Sequence, residues 1–304
     1  MARPNRYQIM ELYKDDIIST FASQNKSIFT ENDLKDILYE HQNEWRLPYS
    51  TEFPDLFHFL LRKNEMSYVD IEFPKRVFTR YLFRKSPDEL HPFDIALSLV
   101  NNSYLSHYTA AFVHNLTDNI VKTIYVNKEL SPKLPVLGNE LTQEKIDKAF
   151  SKEMRTSKNI ATFKNRKICL LESKNMDGQG IIKINNITLT SVERTLIDIA
   201  VRPNYSGGVY EVLRIFMNAQ GEASINKLYS LLKKFKFVYP YHQVIGFYLE
   251  RAGYKESAIK LMERFPMEHK FYLTYAMKNM SYSERWKLYY PIELDSWLHK
   301  DSIS

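Results

Sequence analysis

Apolar residues in the first third of the chain recur at helical spacing in three separate runs. The first run repeats every four residues, which predicts a helix over residues 9–21 with one apolar face. A short extended piece at residues 27–29 leads into a second predicted helix over residues 31–42. Ser50 or Thr51 can cap a third helix. Its inward positions are Phe53, Leu56, Phe57, Leu60 and Leu61.

Two extended segments follow the third predicted helix and form a hairpin. They cover residues 66–72 and 76–84, and residues 73–75 join them. The order of helix, short strand, two helices and a two-stranded hairpin is that of a winged helix-turn-helix. The pattern therefore predicts a DNA-binding module at the start of the chain.

A proline boundary separates this module from the rest of the chain. Ser86 and Pro87 form a loop signal, so we expect a winged helix-turn-helix domain at residues 1–86 and a second domain at residues 87–304. The second domain mixes helices and strands and becomes mainly helical towards its end. Core packing is the favoured use of its aromatic tail, which contains Tyr282, Trp286, Tyr289, Tyr290 and Trp297. Thr190 and Glu193 form a capping-box pattern that begins one of its helices. The predicted fold class is α+β.

Composition narrows the class of protein without fixing it. Of the 304 residues, 44% are hydrophobic, which is typical of globular domains. The apolar runs are too short to span a membrane and the N-terminus is polar, so we expect a cytoplasmic protein without a membrane partner. Cys169 is the single cysteine and lies in an apolar run, where a buried structural thiol is expected.

Positive charge is unevenly distributed along the chain. The formal net charge is +6, which permits binding to nucleic acid. Residues 1–90 hold 13 basic and 15 acidic residues, yet residues 73–86 hold five basic residues and no acidic one. A second basic stretch at residues 145–174 has nine basic and three acidic residues. The positive field is therefore expected from local patches.

The candidate DNA contacts lie on the third helix and on the hairpin. In a winged helix the third helix enters the major groove and the hairpin follows the phosphates. Acidic residues on that helix, Glu52 and Asp55, weaken the case because they repel phosphates. The predicted contact residues are Tyr49, Ser50, Thr51, His58, Arg62, Lys63, Lys75, Arg76 and Arg80.

Two other classes of function stay open. Glu172 and Lys174 end an apolar strand in a pattern that resembles half of the Mg²⁺ site of restriction-type nucleases, with Asp147 or Glu153 as the possible second acid. The alternative is a protein-interaction module that does not bind DNA. No phosphate-binding loop, dinucleotide motif, zinc-protease motif or serine-hydrolase elbow is present, so we expect no enzyme activity, cofactor or metal.

Three segments of the second predicted domain carry a resemblance to a known family. They are residues 104–116 (YLSHYTAAFVHNL), 190–203 (TSVERTLIDIAVRP) and 207–213 (GGVYEVL). With the helix-turn-helix ahead of them, they resemble the AbiEi family of antitoxins from type IV abortive-infection toxin-antitoxin systems. The last 50 residues have no counterpart in the resemblance.

The resemblance implies a regulator with two activities. The first domain would repress its own operon by binding repeats in promoter DNA. The second would counter a nucleotidyltransferase-like toxin encoded next to it. Within the middle segment, Glu193 is expected to close the helix cap, and Arg194 and Asp198 are expected to pair on the helix surface.

Overall fold

The computed structural model describes residues 4–130, 141–174 and 176–301, with side chains described up to Trp297. The helices and strands up to residue 163 are α1 Arg6–Leu12, α2 Lys14–Ser23, β1 Ile28–Phe29, α3 Glu31–His41, α4 Phe53–Arg62, β2 Met66–Phe73, β3 Arg76–Phe83, α5 Pro92–Ser98, β4 Tyr104–Leu105, α6 His107–Val113, β5 Thr123–Leu130, α7 Gln143–Phe150 and β6 Ile160–Phe163. Those that follow are β7 Arg166–Lys174, β8 Ile181–Ile184, β9 Ile187–Thr190, α8 Val192–Val201, α9 Val209–Asn218, α10 Ile225–Phe235, α11 Tyr241–Arg251, α12 Glu256–Met262, β10 Phe271–Tyr272, β11 Met280–Ser283, β12 Leu288–Pro291 and α13 Glu293–Asp301. Short 3-10 helices occupy Pro87–Glu89 and Pro203–Tyr205.

The chain forms two compact units, and the fold class is α+β. The first unit comprises Met1–Asn101 and Asn159–Lys167, and the second comprises Asn102–Lys158 and Ile168–Ser304. Among the residues that the structure describes, no helix combines the length and the apolar character needed to cross a bilayer.

The helices of the first unit follow the predicted order with one difference. The helix expected over residues 9–21 is divided into α1 and α2 at Tyr13, whose backbone (φ −101°, ψ 20°) leaves the helical region. The division keeps the apolar face intact, because Met10, Ile17 and Phe21 are all buried. The predicted second and third helices are confirmed as α3 and α4.

A three-stranded antiparallel sheet completes the first unit. Its strand order is β1-β3-β2. The predicted hairpin is confirmed, with β2 and β3 paired from Met66 opposite Phe83 to Phe73 opposite Arg76. β1 adds to the far side of β3, with Ile28 opposite Leu82. The helices and sheet share one apolar core, which contains Phe21, Phe29, Leu34, Leu38, Trp45, Leu56, Phe59, Leu60 and Phe83.

The contiguous part of the first unit extends beyond the predicted boundary at Ser86. It runs to Asn101 because β3 binds the segment that follows it. The Arg80 guanidinium donates hydrogen bonds to the main-chain carbonyls of Ser98 (2.8 and 3.0 Å) and Leu99 (2.8 Å). These are carbonyls at the C-terminal end of α5, which have no partner within the helix and favour a cation. Arg80 therefore holds α5 on the hairpin.

The second unit is built on a mixed sheet and a group of helices. Its strands lie in the order β7-β5-β4-β9-β8. β4 is antiparallel to β5, with Tyr104 opposite Asn127, and parallel to β9, with Leu105 opposite Leu189. Helix α8 packs against α6, α9, α10 and α11 and is buried from Glu193 to Ala200.

The aromatic tail packs into the helical core of the second unit. β10, β11 and β12 form a small sheet that the sequence did not reveal, apart from one extended segment at residues 270–275. Trp286 is fully buried and packs against Gly246, where an added Cβ would lie 2.1 Å from the indole ring. The Trp286 indole N–H donates to Glu250 (2.7 Å). Core packing is confirmed for Trp286 and Tyr290, which are buried, whereas Tyr282, Tyr289 and Trp297 are half-buried.

Candidate nucleic-acid interface

The tip of the β2–β3 hairpin presents two cations to solvent. Pro74 and Lys75 form the two-residue connection, and Lys75 and Arg76 are both exposed. The Arg76 guanidinium lies over the Phe78 ring, 4.1 Å from its centroid. Stacking on an aromatic face orients the guanidinium while leaving its N–H groups available. The tip can therefore offer two positive charges to an anionic partner.

Arg80 was predicted beside these residues, and the structure places it inside the unit. Its side chain is 5% exposed, and its N–H groups are taken up by the carbonyls of Thr79, Ser98 and Leu99. Burial lowers the pKa of Arg80 below its ordinary value. The prediction of Arg80 as a DNA contact is wrong, because the carbonyls at the end of α5 bind its charge.

Thr51, another predicted DNA contact, is also buried. It is 5% exposed, so its hydroxyl cannot reach a ligand at the surface. Neither Ser50 nor Thr51 caps α4: the N-cap residue is Glu52, whose amide donates to the Asp55 carboxylate (3.0 Å). Ser50 and Tyr49 remain exposed in the turn before α4, and Tyr49 is 86% exposed.

The negative charge of Asp55 is neutralised locally by α1. Arg6 forms an ion pair with the carboxylate, and the Tyr7 hydroxyl donates to its second oxygen (3.1 Å). Burial acts to raise the pKa of Asp55, but hydrogen bonds from the Glu52 amide, Arg6 and Tyr7 outweigh it and hold the pKa below its ordinary value. Asp55 therefore repels an approaching phosphate less than its position in the sequence suggested.

The same helix engages the two cations at the C-terminal end of α4. The Arg62 guanidinium lies 4.6 Å from the centroid of the Tyr7 ring. The Lys63 ammonium pairs with Glu11 (2.6 Å). Both side chains were predicted as DNA contacts; both lie against α1, where Arg62 stays exposed and Lys63 is half-buried. Sequence periodicity could not reveal this arrangement, since it depends on how α1 crosses α4.

The outward face of α4 is largely apolar. His58 is exposed, and Leu61, which was predicted to face inward, is 37% exposed, while Pro54 and Phe57 are half-buried beside them. The Phe57 ring makes edge contacts with Tyr81 (4.8 Å between centroids) and with the half-exposed Tyr68 (5.9 Å). This face can bind a partner through apolar contact and one imidazole.

The second basic stretch is divided between the two units. Lys164 belongs to the first unit, where its ammonium donates to the carbonyls of Asp88 (2.6 Å) and Leu90 (2.8 Å). Its charge thus serves the local fold. Arg155 and Lys158 belong to the second unit. The stretch therefore contributes residues to both units.

The nuclease alternative gains no support from the side chains that the structure describes. Glu172 and Lys174 are exposed at the end of β7, and Asp147 accepts hydrogen bonds from Gln143 and the Tyr272 hydroxyl. Among the described residues, no three His, Cys, Asp or Glu side chains lie close enough to hold a metal ion. Cys169 is buried, as predicted, and burial raises the pKa of its thiol to about 11.

The segment at residues 190–203 forms the centre of the second unit. Ser191, one residue later than predicted, is the N-cap of α8, and Glu193 ties the cap to the Ser224 amide (3.2 Å). Arg194 pairs with Asp198 as predicted (3.0 Å), but the pair is buried, with Arg194 fully inaccessible. The expectation of a surface pair is wrong, because α6, α9, α10 and α11 pack around α8 and the helix is buried from Glu193 to Ala200.

Arg194 is held by groups from four different segments. It donates to the Gln179 carbonyl (2.6 Å) and the Tyr104 hydroxyl (3.3 Å), and Glu129 lies 3.7 Å away. Its guanidinium also stacks on Phe235, 4.7 Å from the ring centroid. Burial acts to lower the pKa of Arg194, but the Asp198 charge raises it above its ordinary value. This network organises the second unit and leaves the guanidinium no access to a ligand.

Comparison with known proteins gives information on the fold and none on the activity. Among solved structures, the chain is similar to the Rv2827c protein from Mycobacterium tuberculosis, with a TM-score of 0.55 and 15% sequence identity. The likeness covers 96% of this chain and 95% of that one, so the fold is similar along nearly the whole of both. No protein-family model and no curated protein matches the sequence.

Proposed function

We propose that the protein is a non-enzymatic, DNA-binding regulator that acts in the cytoplasm, and that its first unit is a winged helix-turn-helix. The observation that carries the proposal is the exposed pair of cations, Lys75 and Arg76, at the tip of a hairpin beside α4. The sheet order β1-β3-β2 and the sequence of α3, turn and α4 fit that fold. Lys75 and Arg76 would contact phosphates, while Tyr49, Ser50 and His58 would lie towards the groove.

We further propose that the regulator is an antitoxin, on the resemblance of three segments to the AbiEi family. Its partners would be promoter DNA with repeats and a nucleotidyltransferase-like toxin. The buried network of Arg194 supports a structural role for the middle segment rather than a catalytic one. The two activities would reside in different units and should be separable.

Charge reversal at the hairpin tip tests DNA binding. The full chain is titrated against a fluorescent duplex carrying its own promoter, at several salt concentrations. Lys75→Glu with Arg76→Glu should weaken binding and reduce the slope of log affinity against log salt by about 0.9 for each lost phosphate contact. Lys85→Glu is the control, because Lys85 is exposed beyond the other end of the hairpin. Unchanged affinity of the double variant would refute the placement.

Co-expression tests the antitoxin role. A neighbouring gene with nucleotidyltransferase motifs is expressed with the wild-type chain or with the Lys75→Glu, Arg76→Glu variant. Both proteins should restore growth, whereas only the wild type should repress a promoter reporter. Failure of both to restore growth would refute the antitoxin role and leave DNA binding to be judged by the titration.

A protein-interaction module is the second candidate, and the apolar outward face of α4 favours it. Leu61 and Tyr68 are both exposed beside Phe57, and exposed apolar surface of this kind commonly binds proteins. This candidate predicts no affinity for any duplex even at low salt, which the same titration measures.

A further inference from the structure

The side chains on the outward face of α4 restrict what the helix can read in a major groove. Guanine and adenine are read by paired hydrogen bonds from Arg, Lys, Asn or Gln. The sequence of α4, FPDLFHFLLR, has only Arg62 from that set. Arg62 is folded back along the helix, with its Nε within 3.4 Å of the His58 carbonyl and its guanidinium on the Tyr7 ring. The face that carries Pro54, His58 and Leu61 therefore holds none of these four residue types, because Arg62 lies to its side, against α1.

Apolar side chains occupy most of the face of α4 that would meet the base edges. Pro54 and Leu61 lie two helical turns apart on the same face, with His58 between them. Seven residues span about 10 Å of helix, or roughly three base steps of about 3.4 Å each. The apolar group that a major groove offers is the 5-methyl of thymine, which A·T pairs carry and G·C pairs lack.

From this arrangement we infer that α4 recognises thymine methyl groups, so the binding site on DNA is rich in A·T pairs. The inference rests on the proposed DNA-binding function and specifies the kind of DNA sequence that the protein binds. Leu61 makes the principal contact, because it is the most exposed aliphatic side chain of the helix. The hairpin tip supplies affinity without sequence preference, since Lys75 and Arg76 contact phosphates.

Removing only the methyl groups from DNA tests this inference. The full chain is titrated at low salt against a short alternating dA·dT duplex and against the same duplex with deoxyuridine in place of thymidine. The substitution leaves every hydrogen-bonding group of the duplex in place. We expect the deoxyuridine duplex to bind about fourfold more weakly for each methyl group that the helix contacts.

Two variants locate the contact. Leu61→Ala should bind the two duplexes with nearly equal affinity, whereas Leu61→Met, which stays apolar, should keep the preference. Lys75→Glu is the matched control: it should weaken binding to both duplexes by the same factor and leave their ratio unchanged. A far-ultraviolet circular dichroism melt checks that each variant is folded, and Leu61 is exposed enough for its truncation to spare the core.

The outcomes separate the inference from the function on which it rests. No binding to either duplex would refute DNA binding itself. Equal binding of the two duplexes by the wild type, with Lys75→Glu still weakening both, would overturn methyl recognition and leave the hairpin contacts standing. A preference that persists in Leu61→Ala would also overturn it, since another element would then be the reader.

Discussion

The hairpin tip of the first unit and the centre of the second unit use arginine in opposite ways. Arg76 stacks on Phe78 and keeps its N–H groups in solvent. Arg194 is fully buried and bonds to Gln179, Tyr104 and Asp198. The first can serve a partner, and the second can serve only its own fold. Where an arginine lies, rather than how many basic residues surround it in the sequence, decides which role it takes.

Removal of the buried charge of Arg194 should give the largest effect and is the strongest test of this comparison. Arg194→Met keeps an apolar stem but leaves the carboxylates of Asp198 and Glu129 without their cation. We expect a loss of about 3–5 kcal/mol in the free energy of unfolding, the usual cost of leaving a buried charge unpaired. Urea denaturation followed by tryptophan fluorescence measures it. A loss below about 1 kcal/mol, the scale of an exposed pair, would show that the pair behaves like a surface ion pair.

Acid should weaken the second unit through its buried histidines. Burial lowers the pKa of both His107 and His242 to about 4, against about 6.5 in an unfolded chain. Between pH 6.5 and pH 4 the unfolded state therefore binds protons that the native state does not. The free energy of unfolding should therefore decrease as the pH is lowered through that window, by about 1.4 kcal/mol per pH unit for each histidine.

One substitution separates the two contributions to the acid effect. His107→Asn is suitable because residue 107 has a positive φ of 52°, which Asn tolerates. The variant should show about half the wild-type slope, in denaturation curves collected from pH 7 to pH 4. An unchanged slope would contradict the assignment to His107.

Arg80 gives an intermediate case, since it is buried in the first unit but binds neutral carbonyls. Arg80→Met leaves the carbonyls of Ser98 and Leu99 without their donor, which should cost about 1–3 kcal/mol. The α5 segment should also exchange its amide hydrogens faster, as mass spectrometry can measure. Arg84→Met, which breaks an exposed pair with Glu65, is the control and should cost much less.

These cases show what the sequence could predict. Helix faces and the hairpin were predictable, because residues such as Ile17 and Phe21 repeat with a local period. Burial of a charged side chain was not. Arg76 and Arg80 lie on the same strand four residues apart, and only the position of α5 distinguishes them. The pairing of β10 with β12 joins two-residue and four-residue strands, too short for any period to be visible.

The smallest expected effect on stability belongs to Arg76, and it completes the comparison. Arg76→Glu should change the free energy of unfolding by less than about 0.5 kcal/mol, because the side chain is exposed and its ring contact with Phe78 is peripheral. The same substitution should weaken binding to promoter DNA severalfold, since it replaces an attraction to phosphate with a repulsion. Arg76→Lys should retain part of the binding, because it keeps the charge that attracts phosphate but loses the stacking on Phe78. If Arg76→Glu destabilised the protein as strongly as Arg80→Met, the tip would be part of the core of the first unit and not a surface available to DNA.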